Sequence, residues 1–150
     1  MITQFRPNRK ISTQHNLTNF IAMARDKLTL WSDIDGFAWD SCRWPTNKST
    51  IRFFNFENRD LPPRKAPETH QMMHPAFVDV AKAYLRYTNT VRPQSMVTAQ
   101  MRALRVIEFV LRNDMPIPDI TKFEERHWNA IINTVEDLPS RAAICAKTLN

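Results

Sequence analysis

Two histidines, His70 and His74, stand four residues apart in HQMMHP, a spacing that lets two imidazoles share a metal on a helix. Pro67 and Pro75 hem that stretch, no glutamate lies inside the pair and no third ligand is evident. The segment therefore reads as a histidine-bearing linker, and no metal or cofactor is expected. His15 and His127 are isolated, and spacing pairs neither with a nucleophile. Cys42 and Cys145 lie far apart without C-x-x-C spacing, so both are expected to be reduced and buried. Glu124 and Glu125 suit the positive end of a helix dipole, while Glu136 and Asp137, next to LPS, are placed to cap a following helix. The chemistry that the residue types suit best is anion binding. In MVTAQMRALRVIEFVLRND, residues 96–114, a helical projection gathers Gln94, Ser95, Thr98, Arg102, Arg105 and Arg112 within an arc of about 100°. Most of the remaining circumference is apolar, which puts this helix at the centre of a bundle with one basic strip left open.

Guanidinium groups clamp phosphates or guanine edges with two parallel hydrogen bonds, and Gln, Ser and Thr reach phosphates or bases. Arg92, just before the helix, and Lys82 and Arg86 on the preceding helix extend the same surface in this reading. The alternative is a solvated face in which Arg102 or Arg105 pairs with Glu108 or Asp79. Phe109 falls inside the arc and fits neither; its expected role is packing against the aromatic amino-terminal segment. The formal charge of +6 and a pI near 9.7 agree with a polyanion as partner.

The elements that must position this strip follow from the pattern. The length fits one domain, or one domain with a small appendage. A single glycine, Gly36, against a usual share of about 7%, disfavours Gly-rich phosphate loops and tight two-residue hairpins. The fold class is mainly α. No apolar run approaches the roughly 20 residues of a membrane span, and MITQFRPNRK lacks a secretory apolar stretch; a soluble, cytoplasmic protein without a membrane partner is expected. Residues 1–60 form an aromatic-rich segment with one helix from about Leu17 to Leu30 and a short strand in TIRFFNF. Its aromatics, among them Trp31, Trp39, Trp44 and Phe53, suit either base stacking between Arg43, Lys48 and Arg52 or the core of a small subdomain. Residues 61–74 read as a linker, since four prolines in LPPRKAPETHQMMHP forbid a continuous helix.

Residues 75–150 read as four helices: about Pro75–Tyr87 with Tyr84 in the core, Pro93–Asn113, a third from a Thr121/Glu124 capping box that buries Trp128, Ile131, Ile132 and Val135, and a fourth from Pro139 or Ser140. The last has no glycine cap or stop signal before Asn150, which suggests a fragment of something longer.

The blocks HPAFVDVAKAYLRYTNT, QMRALRVIEFVL, DITKF and PSRAAICAKTL, in that order over about residues 74–150, resemble the four-helix core-binding domain of tyrosine recombinases of the phage-integrase type. The resemblance implies a SAM-like bundle that forms one half of a clamp around duplex DNA. It places Gln94, Ser95, Thr98, Arg102 and Arg105, with Arg141 and Lys147 on the last helix, against the major groove and its phosphates. It also implies a nucleophilic tyrosine and an H-x-x-R motif in a separate catalytic domain. No H-x-x-R occurs here, so the chain by itself is expected to be catalytically silent, with self-association on DNA left to the full-length recombinase. The rival reading is a helical protein-interaction module with a basic docking face.

Overall fold

The computed structural model describes residues 4–56, 72–92 and 96–136, and side chains as far as 134. Four α-helices and one small sheet occur among them: α1 (Thr13–Asp26), β1 (Arg43–Pro45), β2 (Thr50–Arg52), α2 (Pro75–Val91), α3 (Val97–Asp114) and α4 (Glu125–Glu136), with a 3-10 turn at Ile120–Lys122 before α4. The protein is mainly helical. These are not the four helices that the periodicity predicts: α1 precedes the proline-rich stretch, and the expected fourth helix from residue 139 lies outside the described residues.

Local chemistry sets the helix ends. Ser12 caps α1 by accepting the His15 amide at 3.1 Å, which starts the helix four residues before the apolar stripe does. His74 caps α2: its Nδ1 accepts the Ala76 amide at 3.0 Å, and Pro75 follows at the position that lacks a helical donor. The expected Thr121/Glu124 capping box does not form. Thr121 instead donates its hydroxyl to Asp119 at 2.6 Å, and α4 begins after Glu124, whose amide donates to Nδ1 of His127 at 2.8 Å. The imidazole thus takes the reciprocal role that a glutamate has in a capping box.

β1 and β2 form an antiparallel hairpin with Arg43 opposite Arg52, Trp44 opposite Ile51 and Pro45 opposite Thr50. The expectation against tight hairpins fails here. Asn47 and Lys48 make a two-residue loop, yet among the described residues only Trp31 and Gly36 have positive φ. Thr46 closes the turn in place of glycine, its Oγ1 accepting the Ser49 amide at 3.0 Å and donating to the Ser49 carbonyl at 2.8 Å. Beyond β2 the alternation slips because Phe53 and Phe54 both turn inward. The Met73 amide donates to the Phe53 carbonyl and Phe54 bridges Met72.

α1 packs on α2, α2 on α3 and α3 on α4. One apolar core joins Trp31, Trp44, Ile51 and Phe53 to Met73, Phe77, Ala81 and Leu85 and to Met101, Leu104 and Leu111 of α3. The aromatic segment and the helices therefore share a core rather than forming separate units, and Met72 and Met73, expected at the end of a linker, belong to it. The rest of that linker, residues 57–71, lies outside the described residues. A second layer sets Phe20, Ala24 and Leu28 against Ala83 and Tyr87, with the ring of Phe5 edge-on to Phe20 and its amide donating to the Tyr87 hydroxyl at 3.1 Å.

Three apolar placements differ from expectation. Tyr84 is exposed because α2 is covered on two other sides, by α1 and by the main core. Trp128 and Ile132 are 57% and 51% exposed, since α4 turns Ala130 and Ile131 toward Phe56, Val106 and Val110 instead. Phe109 does meet the amino-terminal aromatics, with its centroid 4.8 Å from Phe56.

Trp44 is fully buried and touches the rings of Trp31, Phe37, Trp39 and Phe53 at centroid distances of 4.9 to 6.2 Å. Trp44→Ala is expected to lower unfolding free energy by about 4 kcal/mol, measured by urea denaturation. A loss below about 1 kcal/mol would mean that the aromatic segment does not share the core.

Candidate nucleic-acid interface

Helix α3 carries the basic strip, and its three arginines have three different environments. Arg112 lies over the Phe109 ring at 5.7 Å, and its Nε donates to Glu108 at 3.0 Å. Glu108 is fully buried and also accepts the His74 amide at 2.9 Å, so this pair joins the start of α2 to the end of α3. Arg105 is half-buried, donating Nε to the Phe54 carbonyl at 3.1 Å and Nη2 to the Arg52 carbonyl at 2.9 Å. The hairpin ladder explains that contact. Phe53 donates to Cys42, and Thr46 to Ser49, so the intervening pair of Arg43 and Arg52 is a non-hydrogen-bonded one whose carbonyls point away from the partner strand. The Arg105 guanidinium covers the otherwise open edge of β2. Desolvation, and then the nearby charge of Arg102, lower its pKa. Arg102 is exposed, as is Thr98 one turn earlier, and its side chain makes no hydrogen bond or ion pair among the described residues. Neither pairing with Glu108 nor one with Asp79 holds it: Asp79 accepts the Trp39 indole at 3.1 Å instead.

Lys82 and Arg86, expected to extend the basic surface, are 3% and 2% exposed, which removes them from it. Arg86 donates to the Leu28, Ala24 and Arg25 carbonyls at 3.0, 3.3 and 3.4 Å and to the Ser32 hydroxyl at 3.1 Å. Its guanidinium carbon lies 4.8 to 5.5 Å from the ring centroids of Phe37, Trp39 and Trp44. The site combines the orphaned carbonyls of a helix C-terminus with aromatic faces, both of which favour a cation. Lys82, one turn earlier, donates to the Trp39 carbonyl and lies over the Trp44 and Phe53 rings. Burial lowers its pKa, opposed by Asp79 and Asp40. The aromatics that base stacking would need are thus core, wrapped around two cations of the chain itself.

Arg92 is exposed at the end of α2, where its amide closes the helix on the Thr88 carbonyl at 2.8 Å. Gln94, Ser95, Arg141 and Lys147 lie outside the described residues, as do His70 and Cys145. Of the expected contacts, the structure brings Thr98 and Arg102 together on one exposed turn. Arg43 and Arg52, expected beside stacking aromatics, instead pair with each other across the hairpin and face away from Trp44 and Ile51. The signal was the alternation in RWP and TIR, where each apolar inward residue neighbours an arginine.

Other polar clusters are structural. His127 is buried with Nε2 2.9 Å from Asp114 Oδ2. Because Nδ1 accepts the Glu124 amide, Nε2 carries the proton in the neutral ring and donates to Asp114. Both ring nitrogens are therefore engaged within the protein. Hydrogen bonds from His127 and Arg126 hold the Asp114 carboxyl below its usual range. An open groove of about 670 Å³ lies beside it, lined by Met115, Ile117, Lys122 and Phe123 among others. Cys42 is a free thiol and only partly buried, where a buried one was expected. Among the described residues no three His, Cys, Asp or Glu side chains converge on a point that would hold a metal, and no helix is long and apolar enough to cross a membrane.

Because burial lowers the Lys82 pKa in the folded state, the unfolded chain binds more protons as pH approaches the ordinary lysine range, and folding gains stability as pH rises there. The urea midpoint of the wild type, measured from pH 7 upward, should rise toward alkaline pH relative to that of Lys82→Met, and a pH-independent difference would contradict a desolvated ammonium. No protein-family model, no curated protein and no solved structure matches this chain.

Proposed function

We propose that the chain binds duplex DNA through the exposed amino-terminal half of α3, as the DNA-clamping part of a site-specific recombinase of the tyrosine-recombinase type. The observation that carries the reading is Arg102: an exposed guanidinium on a helix face shared with Thr98, with no acid paired to it among the described residues. A helix of this kind fits the major groove, and such a side chain reaches phosphates or guanine edges. The excess of basic residues supplies the long-range attraction. In this reading the strand-transfer chemistry belongs to a catalytic domain outside these residues, and the SAM-like identity of the bundle rests on the resemblance in the blocks of α2 and α3. With Lys82 and Arg86 inside the protein and Arg105 and Arg112 engaged, few phosphates are neutralised. Binding is expected at the micromolar level or weaker at physiological salt, on the order of non-specific contacts.

A second reading, docking of a protein partner, is favoured by the exposed pair Trp128 and Ile132, four residues apart on α4. Fluorescence anisotropy of the chain with a duplex oligonucleotide over a salt series separates the two. Arg102→Ala should weaken binding and reduce the log–log salt slope by about one, while Trp128→Ala leaves both unchanged. Arg105→Ala is a poor probe, because it also uncovers the Arg52 and Phe54 carbonyls. Equal slopes for the wild type and Arg102→Ala would refute the α3 interface.

A further inference from the structure

The outer face of the hairpin carries an arrangement that neither the core nor the α3 interface explains. Arg43 and Arg52 are register partners in a non-hydrogen-bonded pair, the type in which facing side chains approach most closely. Both lie on the face opposite Trp44 and Ile51, which are 0% and 3% exposed, so both arginines point away from the core. Like charges directly opposite each other on a sheet repel, and here no acid intervenes: neither guanidinium makes an ion pair or hydrogen bond among the described residues. The Nε atoms of both arginines are buried without a hydrogen-bond partner, an unusual state for such strong donors. Both residues are only half-buried. Arg105 adds a third positive charge beside them through its bond to the Arg52 carbonyl, and Lys48 stands exposed in the turn.

We propose that Arg43 and Arg52 together form an oxyanion site that grips one phosphate group. A dianionic or diester phosphate offers several acceptor oxygens in a tetrahedral array. Two guanidinium forks brought together by the strand register match that array with parallel hydrogen bonds, and the ligand's charge cancels the repulsion between them. A lysine pair would supply the charge without the paired geometry. The shared chemistry is a phosphate oxyanion, whether it belongs to a nucleic-acid backbone or to a free phosphate. The two gripping residues lie on the hairpin and not among Thr98 and Arg102 of α3, and the site does not depend on the proposal made for those residues.

The test is thermal unfolding of the full chain in inorganic phosphate against chloride at matched ionic strength, with Arg43→Gln/Arg52→Gln alongside. The wild type should gain about 4 °C when phosphate reaches roughly ten times its dissociation constant. The double variant should fold, melt no lower than the wild type in chloride because a repulsion has been removed, and show no phosphate-specific gain. An equal gain in both proteins, or none in the wild type, overturns the site. A duplex oligonucleotide identifies the source of the phosphate. If the double variant also loses duplex affinity, the ligand is a nucleic-acid phosphodiester; if only the response to inorganic phosphate disappears, it is a small phosphate-bearing molecule. Arg102→Ala should retain the phosphate response, so failure of the α3 interface and failure of this site are read separately.

Discussion

The buried guanidinium of Arg86 fixes how the first part of the chain meets the second. A charge taken out of water needs compensation from its surroundings, and no carboxylate supplies it here. The carbonyls at the end of α1, the Ser32 hydroxyl and three aromatic faces do so together. Each of those groups comes from residues 24–44, whereas Arg86 comes from α2. The compensation therefore exists only when α1, the aromatic loop and α2 are docked in one arrangement. Lys82 repeats the device one turn earlier, on the Trp39 carbonyl and the Trp44 and Phe53 rings. Two cations on one helix stripe thus select the position of most of the aromatic segment.

This changes what the net charge means. A formal +6 suggests a strongly positive surface, but Lys82 and Arg86 lie inside, Arg105 covers a strand edge, and Arg112 neutralises a buried glutamate. The net charge and its long-range field are unchanged by this, but the cations that a ligand can touch directly are fewer, Arg102 and the hairpin pair among them. A cationic side chain placed toward the core is invisible to a helical projection, because its aliphatic stem packs like an apolar residue and its head finds carbonyls or rings that the projection does not contain.

The legible parts of the sequence are those governed by local periodicity. Helices α2 and α3 follow from their apolar spacing and from Pro75, and the contact of Phe109 with an amino-terminal aromatic follows from its misfit on a basic arc. Other features depended on single side-chain bonds. Ser12 begins α1 early, Thr46 closes a hairpin without glycine, and His127 starts α4 four residues after Thr121, turning Trp128 and Ile132 outward. A shift of a few residues rotates a helix face by a large angle at 3.6 residues per turn, which is why the presence of α4 and the inward Ile131 were readable and the outward turn of Trp128 and Ile132 was not. The interface suffered similarly: Thr98 and Arg102 stayed on the surface, but the arginines opposite each other on the hairpin required strand register, which two three-residue strands do not announce.

A two-stranded sheet is marginal on its own, and one with arginines facing across it is weaker still. This hairpin is held from two directions, by Trp44 and Ile51 in the core and by Arg105 along the open edge of β2. Because α3 supplies that edge brace, removing a charge from the outer face should release repulsion without freeing the strands, whereas removing Arg105 would loosen the platform on which the facing arginines stand. The preorganisation of the pair comes from packing elsewhere in the protein, so little ordering cost remains when an anion arrives. In that sense the inward-turned cations and the outward pair belong to one arrangement. The first kind rigidifies the hairpin, and the rigid hairpin keeps two like charges on facing register positions.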